Sequence, residues 1–319
     1  MSETPYPVEL DAPDIRPYRR GNTGIDYIHV VDGSEPGPHV MLSALVHGNE
    51  LCGAIVLDEL LREDLRPRRG RLSLGFMNVA AYQRFDPVRP EASRFVDEDF
   101  NRVWDPATLE GRRDSVELRR ARLVRPWIDT VDLLLDIHSM QHRTPALTLC
   151  GLAPKGRRLA QAVGFPGIIV ADQGHAAGRR LRDYGAFGDP QSPRNALLVE
   201  CGQHWERAST TVARETTLRF LRESGIFDED WFAGRLTDEP PPTPRVIEIT
   251  EAVTVMGEQF RFEAPFRGME VIPRAGTLLA RDGDRAVLTP YDDCVLIMPS
   301  KRLQPGQTAV RLGRFVDDT

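Results

Sequence analysis

The sequence has few of the features that would mark a disulfide scaffold, a membrane protein or a nucleic-acid-binding protein. It contains 4 cysteines in 319 residues, widely spaced and in no paired motif, so we expect packed, reduced thiols. No apolar run approaches the roughly 18 residues that a membrane-spanning helix needs. The formal net charge of -6 argues against a nucleic-acid partner, which usually requires a basic surface. Lysine occurs only at Lys155 and Lys301, so arginine carries nearly all of the positive charge.

The amino-terminal segment gives no sign of export. The first 24 residues are polar, contain proline and have no apolar segment of the kind that a secretory signal requires. We therefore expect a cytoplasmic protein with no membrane partner. A hydrophobic content of 41% and a charged content of 28% are those of an ordinary globular protein, and the length suffices for a large domain followed by a small one.

Up to about residue 238, predicted strands alternate with predicted helices. Residues 40–46 are almost wholly apolar, as is typical of a strand buried on both faces, and residues 51–61 have the pattern of an amphipathic helix. Further strands are predicted at 71–79, 131–137, 145–151, 167–171 and 195–199, and further helices at 117–127, 155–163 and 207–224. The alternation predicts an α/β fold with a mostly parallel (mixed) sheet flanked by helices.

The character of the chain changes after residue 238. Residues 239–245 are rich in proline and predict a stiff linker. Residues 246–319 contain short strand-like runs separated by glycine and proline, with no helical period, which predicts a small all-β domain. We therefore predict a large α/β domain over 1–238, a linker over 239–245 and a small all-β domain over 246–319.

Polar residues able to bind a metal follow several of the predicted core strands. His47, His138 and Glu200 each end a strand, and Glu50 follows His47 by three residues. Because the carboxyl ends of parallel strands lie along one edge of a sheet, these side chains can converge there. Two imidazoles and one carboxylate leave a zinc ion with one open position, and the remaining carboxylate can act as general base. Taken singly, each histidine is better explained as a packed or surface side chain; their shared position beside acidic residues favours a metal site.

Four short motifs resemble those of the succinylglutamate desuccinylase/aspartoacylase family, which belongs to the zinc carboxypeptidase superfamily. They are HGNE at 47–50, DIHS at 136–139, VECG at 199–202 and DFNR at 99–102, with Arg94 ahead of the last. The resemblance covers scattered motifs from about residue 40 to residue 204. It implies a zinc-carboxypeptidase-like fold, and a carboxyl-terminal β domain also suits that family.

The resemblance implies a role for each matching residue. One Zn²⁺ per chain would be held by His47, Glu50 and His138, and it would activate a water molecule for attack on an amide carbonyl. Glu200 would accept a proton from that water and pass it to the departing amine.

The fourth motif would supply contacts to the substrate. Arg94 would stabilise the developing oxyanion, and Asn101 and Arg102 would bind a substrate carboxylate. Without the motif, Arg94 and Arg102 would read as members of surface ion pairs with neighbouring acidic residues.

Two further substrate contacts are suggested by the family pattern but align less clearly. The family has another substrate-binding arginine shortly before the final glutamate, and we select Arg194 for this role. Its competitors are Arg179, Arg180 and Arg182. Tyr291 is our choice as the counterpart of a substrate-binding tyrosine supplied by the β domain in some members.

The sequence thus predicts a zinc-dependent amidohydrolase, or deacylase, that cleaves an N-acyl amino acid or a similar small amide carrying a carboxylate. Its partner would be this small-molecule substrate, and family analogy allows a homodimer. Two alternatives stay open. One is a metallocarboxypeptidase that acts on peptides; the other is a non-catalytic binding protein that retains the fold.

Overall fold

A computed structural model describes residues 6–316 of the chain. The strands are β1 (Ile28–Asp32), β2 (Glu35–Ala44), β3 (Arg69–Phe76), β4 (Leu133–Met140), β5 (Leu147–Leu149), β6 (Ile168–Ala171), β7 (Asn195–Gln203), β8 (Arg245–Thr254), β9 (Phe260–Phe262), β10 (Val271–Ile272), β11 (Leu278–Asp282), β12 (Arg285–Leu288), β13 (Cys294–Ile297) and β14 (Thr308–Val316). The helices are α1 (Leu51–Arg62), α2 (Val79–Tyr82), α3 (Pro106–Glu110), α4 (Val116–Ile128), α5 (Pro154–Val163) and α6 (Arg207–Ser224). The predicted alternation of strands and helices is confirmed.

Eleven strands form one mixed sheet in the order β1-β3-β2-β4-β7-β5-β6-β8-β14-β13-β10, and β12-β11-β9 form a smaller one. At the centre of the large sheet, β3, β2, β4 and β7 run parallel to one another. Their carboxyl ends therefore share one edge, as the sequence analysis expects.

The apolar run in β2 is explained by burial on both faces of the sheet. Val40 and Leu42 contact one core cluster, to which α1 and α6 contribute, whereas Met41 belongs to a second cluster on the other face. Burying a side chain of this size stabilises the fold by about 1.5–3 kcal/mol. A strand covered on both sides holds its last residues in fixed positions, which matters because the polar residues follow directly.

The carboxyl-terminal part of the chain is antiparallel β structure, as predicted, and it is joined to the large sheet. Strand β8 pairs in parallel with β6, with Ile168 opposite Arg245, and β14, β13 and β10 follow outward from β8. The separate three-stranded sheet also lies in this part. The domain division at 239–245 stays a prediction, since the large sheet runs across it.

Two further expectations concern the membrane and the cysteines. Within residues 6–316, no helix is long and apolar enough to cross a bilayer. All 4 cysteines are buried and free of disulfide bonds.

His39 is a buried histidine in β2, on a part of the strand distant from the carboxyl edge. It is 6% exposed, with Nδ1 3.0 Å from Thr130 Oγ1 and Nε2 2.7 Å from Ser73 Oγ. Its ring meets the edge of Trp127 at a centroid distance of 5.6 Å. Burial lowers the pKa of His39 from 6.5 to about 4, and nearby Arg71 adds to this effect.

We expect the low pKa of His39 to make stability depend on pH in a defined window. Between pH 6.5 and pH 4 the unfolded chain binds a proton at His39 that the folded chain does not, so stability falls as the pH falls through this window, by about 3 kcal/mol in all. His39→Gln should remove this part of the slope. Urea denaturation at a series of pH values measures it, and an unchanged slope in the variant would contradict the assignment.

Candidate metal centre

A tight turn after β2 brings His47 and Glu50 to the carboxyl edge of the sheet. A Cβ atom on Gly48 would lie 2.4 Å from Ser93 O and 2.5 Å from Ala81 C, so only glycine fits this turn. The Gly48 amide donates to Arg94 O at 3.0 Å, which holds the turn against the segment that carries Arg94. Glu50 directly precedes α1, so its carboxylate starts from a fixed backbone position.

The three predicted metal ligands converge. His47 Nδ1 lies 2.8 Å from Glu50 Oε1, and His138 Nδ1 lies 2.9 Å from Glu50 Oε2. One ligand atom from each residue lies within 4.8 Å of the others, and all three side chains are buried. Burial would raise the pKa of Glu50, but the two imidazoles outweigh burial and hold that pKa well below its usual range.

A carboxylate orients each imidazole from its other side. His47 Nε2 lies 2.9 Å from Asp99 Oδ1, and His138 Nε2 lies 2.9 Å from Asp136 Oδ2. Asp136 is itself fixed by Ser43, whose hydroxyl donates to Oδ1 at 2.6 Å. Histidines that bind metals commonly donate their other ring N–H to a carboxylate in this way. Two imidazole nitrogens and a carboxylate, each held by such contacts, fit Zn²⁺.

Glu200 lies beside this triad, where the β4–β7 register pairs it with His138. It is 5% exposed, and its Oε2 atom has no hydrogen-bond partner among residues 6–316. Burial raises the pKa of Glu200 to about 8, although the neighbouring His138 opposes the shift. A buried carboxyl group with a raised pKa and a free oxygen is suited to proton transfer near neutral pH.

Arg94 joins the triad to the DFNR motif. Its Nη1 donates to Glu50 Oε1 at 3.1 Å and its Nη2 donates to Asp99 Oδ2 at 3.1 Å. The side chain is 13% exposed, which excludes the alternative of a surface ion pair. Arg94 is therefore a fixed cation next to the triad, the arrangement that stabilises a developing negative charge.

Asn101 and Arg102 line the same cavity as the triad, which has a volume of about 400 Å³. The side-chain oxygen of Asn101 accepts from the Leu181 amide at 2.8 Å, and Arg102 Nη1 donates to Asn101 O at 2.7 Å. Burial, together with the neighbouring arginines Arg94, Arg311 and Arg180, lowers the pKa of Arg102 to about 10, although Asp99 opposes the shift. Asp99 thus compensates the positive charge of Arg102 only in part.

The buried carboxylate of Glu117, in α4, anchors the segment that precedes this motif. Its Oε1 accepts from the Val96 amide at 2.7 Å and from Asn78 Nδ2 at 3.1 Å. Its Oε2 accepts from the amides of Asp97 and Glu98 at 3.1 and 3.3 Å. Three successive backbone N–H groups are therefore satisfied by one side chain, which fixes the path of the chain between Arg94 and the DFNR motif.

We expect Glu117→Gln to misplace that segment without changing any residue of the cavity. The substituted amide has the same shape, but its NH₂ group would face backbone N–H donors, so at least one buried hydrogen bond is lost. A displacement of about 1 Å in the segment should lower kcat/KM about 10- to 100-fold. Steady-state kinetics and urea denaturation measure the two effects, and a variant with the wild-type kcat/KM would contradict the anchoring role.

The structure does not bring Arg194 and Tyr291 to the cavity, and here the sequence interpretation is corrected. Arg194 precedes β7, six residues before Glu200, which is about 20 Å of extended chain. Its Nη1 donates to Asp129 O at the opposite end of the sheet. Tyr291 lies in the carboxyl-terminal part, with its hydroxyl 2.7 Å from Thr250 Oγ1. Neither is among the described residues that line the cavity.

Arg180 and Arg311, rather than Arg194 and Tyr291, lie at the cavity. Both are almost fully buried and both line the cavity. Arg180 binds Asp172 through Nη1 and Nη2 at 3.0 and 2.7 Å, and Arg311 Nε lies 3.0 Å from Asp172 Oδ2. Arg311 Nη2 also lies 2.5 Å from His175 Nε2. Arg180 is one of the four arginines that compete for this role in the sequence, whereas no motif marks Arg311.

Comparison with known proteins gives a consistent family. The model of the succinylglutamate desuccinylase/aspartoacylase catalytic domain matches residues 36–223. A succinylglutamate desuccinylase of Vibrio vulnificus is 21% identical over 321 residues, covering 92% of this chain and 87% of the relative. One from Burkholderia cenocepacia is 24% identical over 304 residues, covering 88% and 81%.

Solved structures share the fold. The succinylglutamate desuccinylase of Vibrio cholerae superposes with a TM-score of 0.66 at 14% identity, covering 91% of this chain and 86% of that one. Murine aminoacylase 3 superposes with a TM-score of 0.56 at 17% identity, covering 89% and 97%. These superpositions confirm the predicted zinc-carboxypeptidase-like architecture.

Proposed function

This chain belongs to the succinylglutamate desuccinylase/aspartoacylase family, whose members hydrolyse amide bonds, and from that premise we propose that it is a zinc-dependent deacylase. Its substrate would be an N-acyl amino acid or a similar small amide that carries a carboxylate. The observation that carries the proposal is the buried triad of His47, Glu50 and His138, with Glu200 beside it at the same sheet edge.

The triad would hold one zinc ion through the nitrogen and oxygen atoms that face one another. When bound there, zinc supplies a Lewis acid and lowers the pKa of a water molecule. The protein's own part is to hold the ligands still: Asp99 and Asp136 fix the two rings, and Ser43 fixes Asp136.

Glu200 would move the proton. Its Oε2 atom accepts a proton from the attacking water as the new carbon–oxygen bond forms. The same group then donates that proton to the amide nitrogen, the carbon–nitrogen bond breaks, and a carboxylic acid and an amine leave. Arg94 would stabilise the negative charge that develops on the carbonyl oxygen, because it is a buried cation held in place by Glu50 and Asp99.

A cluster of three arginines in the cavity supports an anionic substrate. Arg102, Arg180 and Arg311 line it; Asp172 pairs with Arg180 and Arg311, and Asp183 also pairs with Arg180. A substrate carboxylate would accept the planar, paired hydrogen bonds that guanidinium groups form. We therefore place the carboxylate of the amino acid on this side, with Asn101 next to it.

The proposal is tested by metal analysis and a hydrolysis screen. We expect about one zinc per purified chain. We also expect hydrolysis of acetyl, succinyl or longer acyl derivatives of acidic and neutral amino acids, with little activity on a matched panel of peptides. Hydrolysis of peptides alone would favour the metallocarboxypeptidase alternative, and a protein that neither binds zinc nor cleaves any member would refute the proposal.

A further inference from the structure

His204 is a buried histidine that lines the same cavity, and the family resemblance gives this residue no role. It follows β7, is 1% exposed and lines the cavity. Its Nδ1 lies 2.9 Å from Ser139 Oγ, and its backbone amide donates to Met140 O at 2.9 Å. The ring is therefore fixed at one end, and its orientation is set by the residues that follow His138.

The other end of the ring has no protein partner. His204 Nε2 is buried and makes no hydrogen bond to any residue of the described chain. Burial, together with Arg94, His47 and Arg302, lowers the pKa of His204 to about 3 although Glu50 opposes the shift, so the ring is neutral at physiological pH. A neutral imidazole has one donor and one acceptor; Ser139 uses one of them. Buried polar atoms in folded proteins nearly always have a partner, so one is missing here.

The order of strands in the sheet separates His204 from the arginine cluster of the cavity. His204 contacts Ser139 and Met140 of β4. Arg180 and Arg311 contact Asp172, which directly follows β6. Strands β7 and β5 lie between β4 and β6, so His204 and the arginine cluster occupy different parts of the cavity. If the arginines bind the amino-acid carboxylate, the acyl group extends toward His204.

We propose that His204 binds the acyl half of the substrate through Nε2 and thereby helps to determine which acyl groups are accepted. This inference rests on the proposed deacylase function. Ser139 acts as a positioning residue, because its hydroxyl holds the ring from the opposite side. The contact satisfies the buried nitrogen when the substrate is bound.

Two substitutions separate this contact from a structural role. In His204→Asn the amide replaces the Nδ1 side of the ring, so the Ser139 contact can persist while nothing occupies the Nε2 position. In His204→Gln the amide reaches the Nε2 position. For the best substrate of the acyl amino acid screen, we expect H204N to lower kcat/KM about 10- to 100-fold and H204Q to lower it less than about 5-fold. Zinc content should not change in either variant.

Inhibition by the two products gives a readout that general damage would not produce. In H204N the inhibition constant of the carboxylic acid product should rise by about the same factor as kcat/KM falls, whereas that of the amino acid product should stay within about 2-fold. In wild-type protein with ¹⁵N-labelled histidine, the acid product should shift the Nε2 resonance of His204, which requires no folded variant.

The outcomes are distinguishable. Wild-type kinetics in H204N with no resonance shift, or equal weakening of both products, would overturn the role of His204 and leave the deacylase function standing. A wild-type protein that hydrolyses no acyl amino acid would refute the deacylase function, and this inference with it.

Discussion

Replacing Glu200 with glutamine is expected to lower kcat about 10²- to 10⁴-fold while zinc stays bound. The amide of glutamine has the shape of the carboxylate but cannot accept the proton of the attacking water. Glu200 is not one of the three residues whose atoms converge in the triad, and its Oε2 makes no hydrogen bond within residues 6–316, so the variant removes few resting-state contacts. Steady-state kinetics and metal analysis on the same preparation measure both quantities.

Glu215→Gln is the matched control for Glu200→Gln. Glu215 is also a buried glutamate, 6% exposed, but it lies in α6, where it binds Arg219 at 2.6 Å and Thr237 at 3.1 Å. This variant should lose some stability and keep kcat within about 2-fold of the wild type. If Glu200→Gln also keeps the wild-type kcat, Glu200 is not the general base.

Removing the metal is the second change with a large expected effect. Chelation should abolish hydrolysis, and added zinc should restore it, because a Lewis acid and an activated water are lost together. His138→Ala should abolish hydrolysis as well, and zinc should not restore it. This variant also removes the contacts of His138 with the buried carboxylates of Asp136 and Glu50. The loss should lower the free energy of unfolding by about 3–5 kcal/mol.

Measurements of zinc per chain, hydrolysis rate and thermal midpoint distinguish these effects. His39→Gln serves as the control, because this variant also replaces a buried histidine but at a distance from the carboxyl edge of the sheet. It should retain zinc and activity at pH 8. A chelated protein that hydrolyses acyl amino acids at the original rate would contradict the metal requirement.

The triad was predictable because each of its parts follows a strong local signal. Residues 40–46 form an apolar run typical of a strand covered on both faces, and the chain turns polar at His47. The same pattern precedes His138 and Glu200. Because parallel strands end at one edge of the sheet, the sequence alone predicts that these three segments meet there.

The contacts between distant loops were not predictable in the same way. The acidic run Asp97, Glu98 and Asp99 is typical of a solvated surface, with Asp99 also a candidate to support the adjoining motif. In the structure Asp99 contacts His47, 52 positions earlier, and the amides of Asp97 and Glu98 bind Glu117. Arg311 lies in β14, whose pairing with β8 brings it to the cavity, and no motif in the sequence marks that pairing. Arg194 was chosen by its distance in sequence from Glu200, although an extended strand takes it to the far end of the sheet.

The pairing of β8 with β6 has a consequence for how this enzyme can be divided or recombined. A fragment that stops at residue 238 would expose the edge of β6 and would lack Arg311. We therefore expect it to aggregate and to bind anionic substrates poorly. Exchanging the carboxyl-terminal part between relatives would exchange a residue that lines the cavity together with strands of the large sheet. The carboxyl-terminal strands therefore complete both the large sheet and the lining of the cavity.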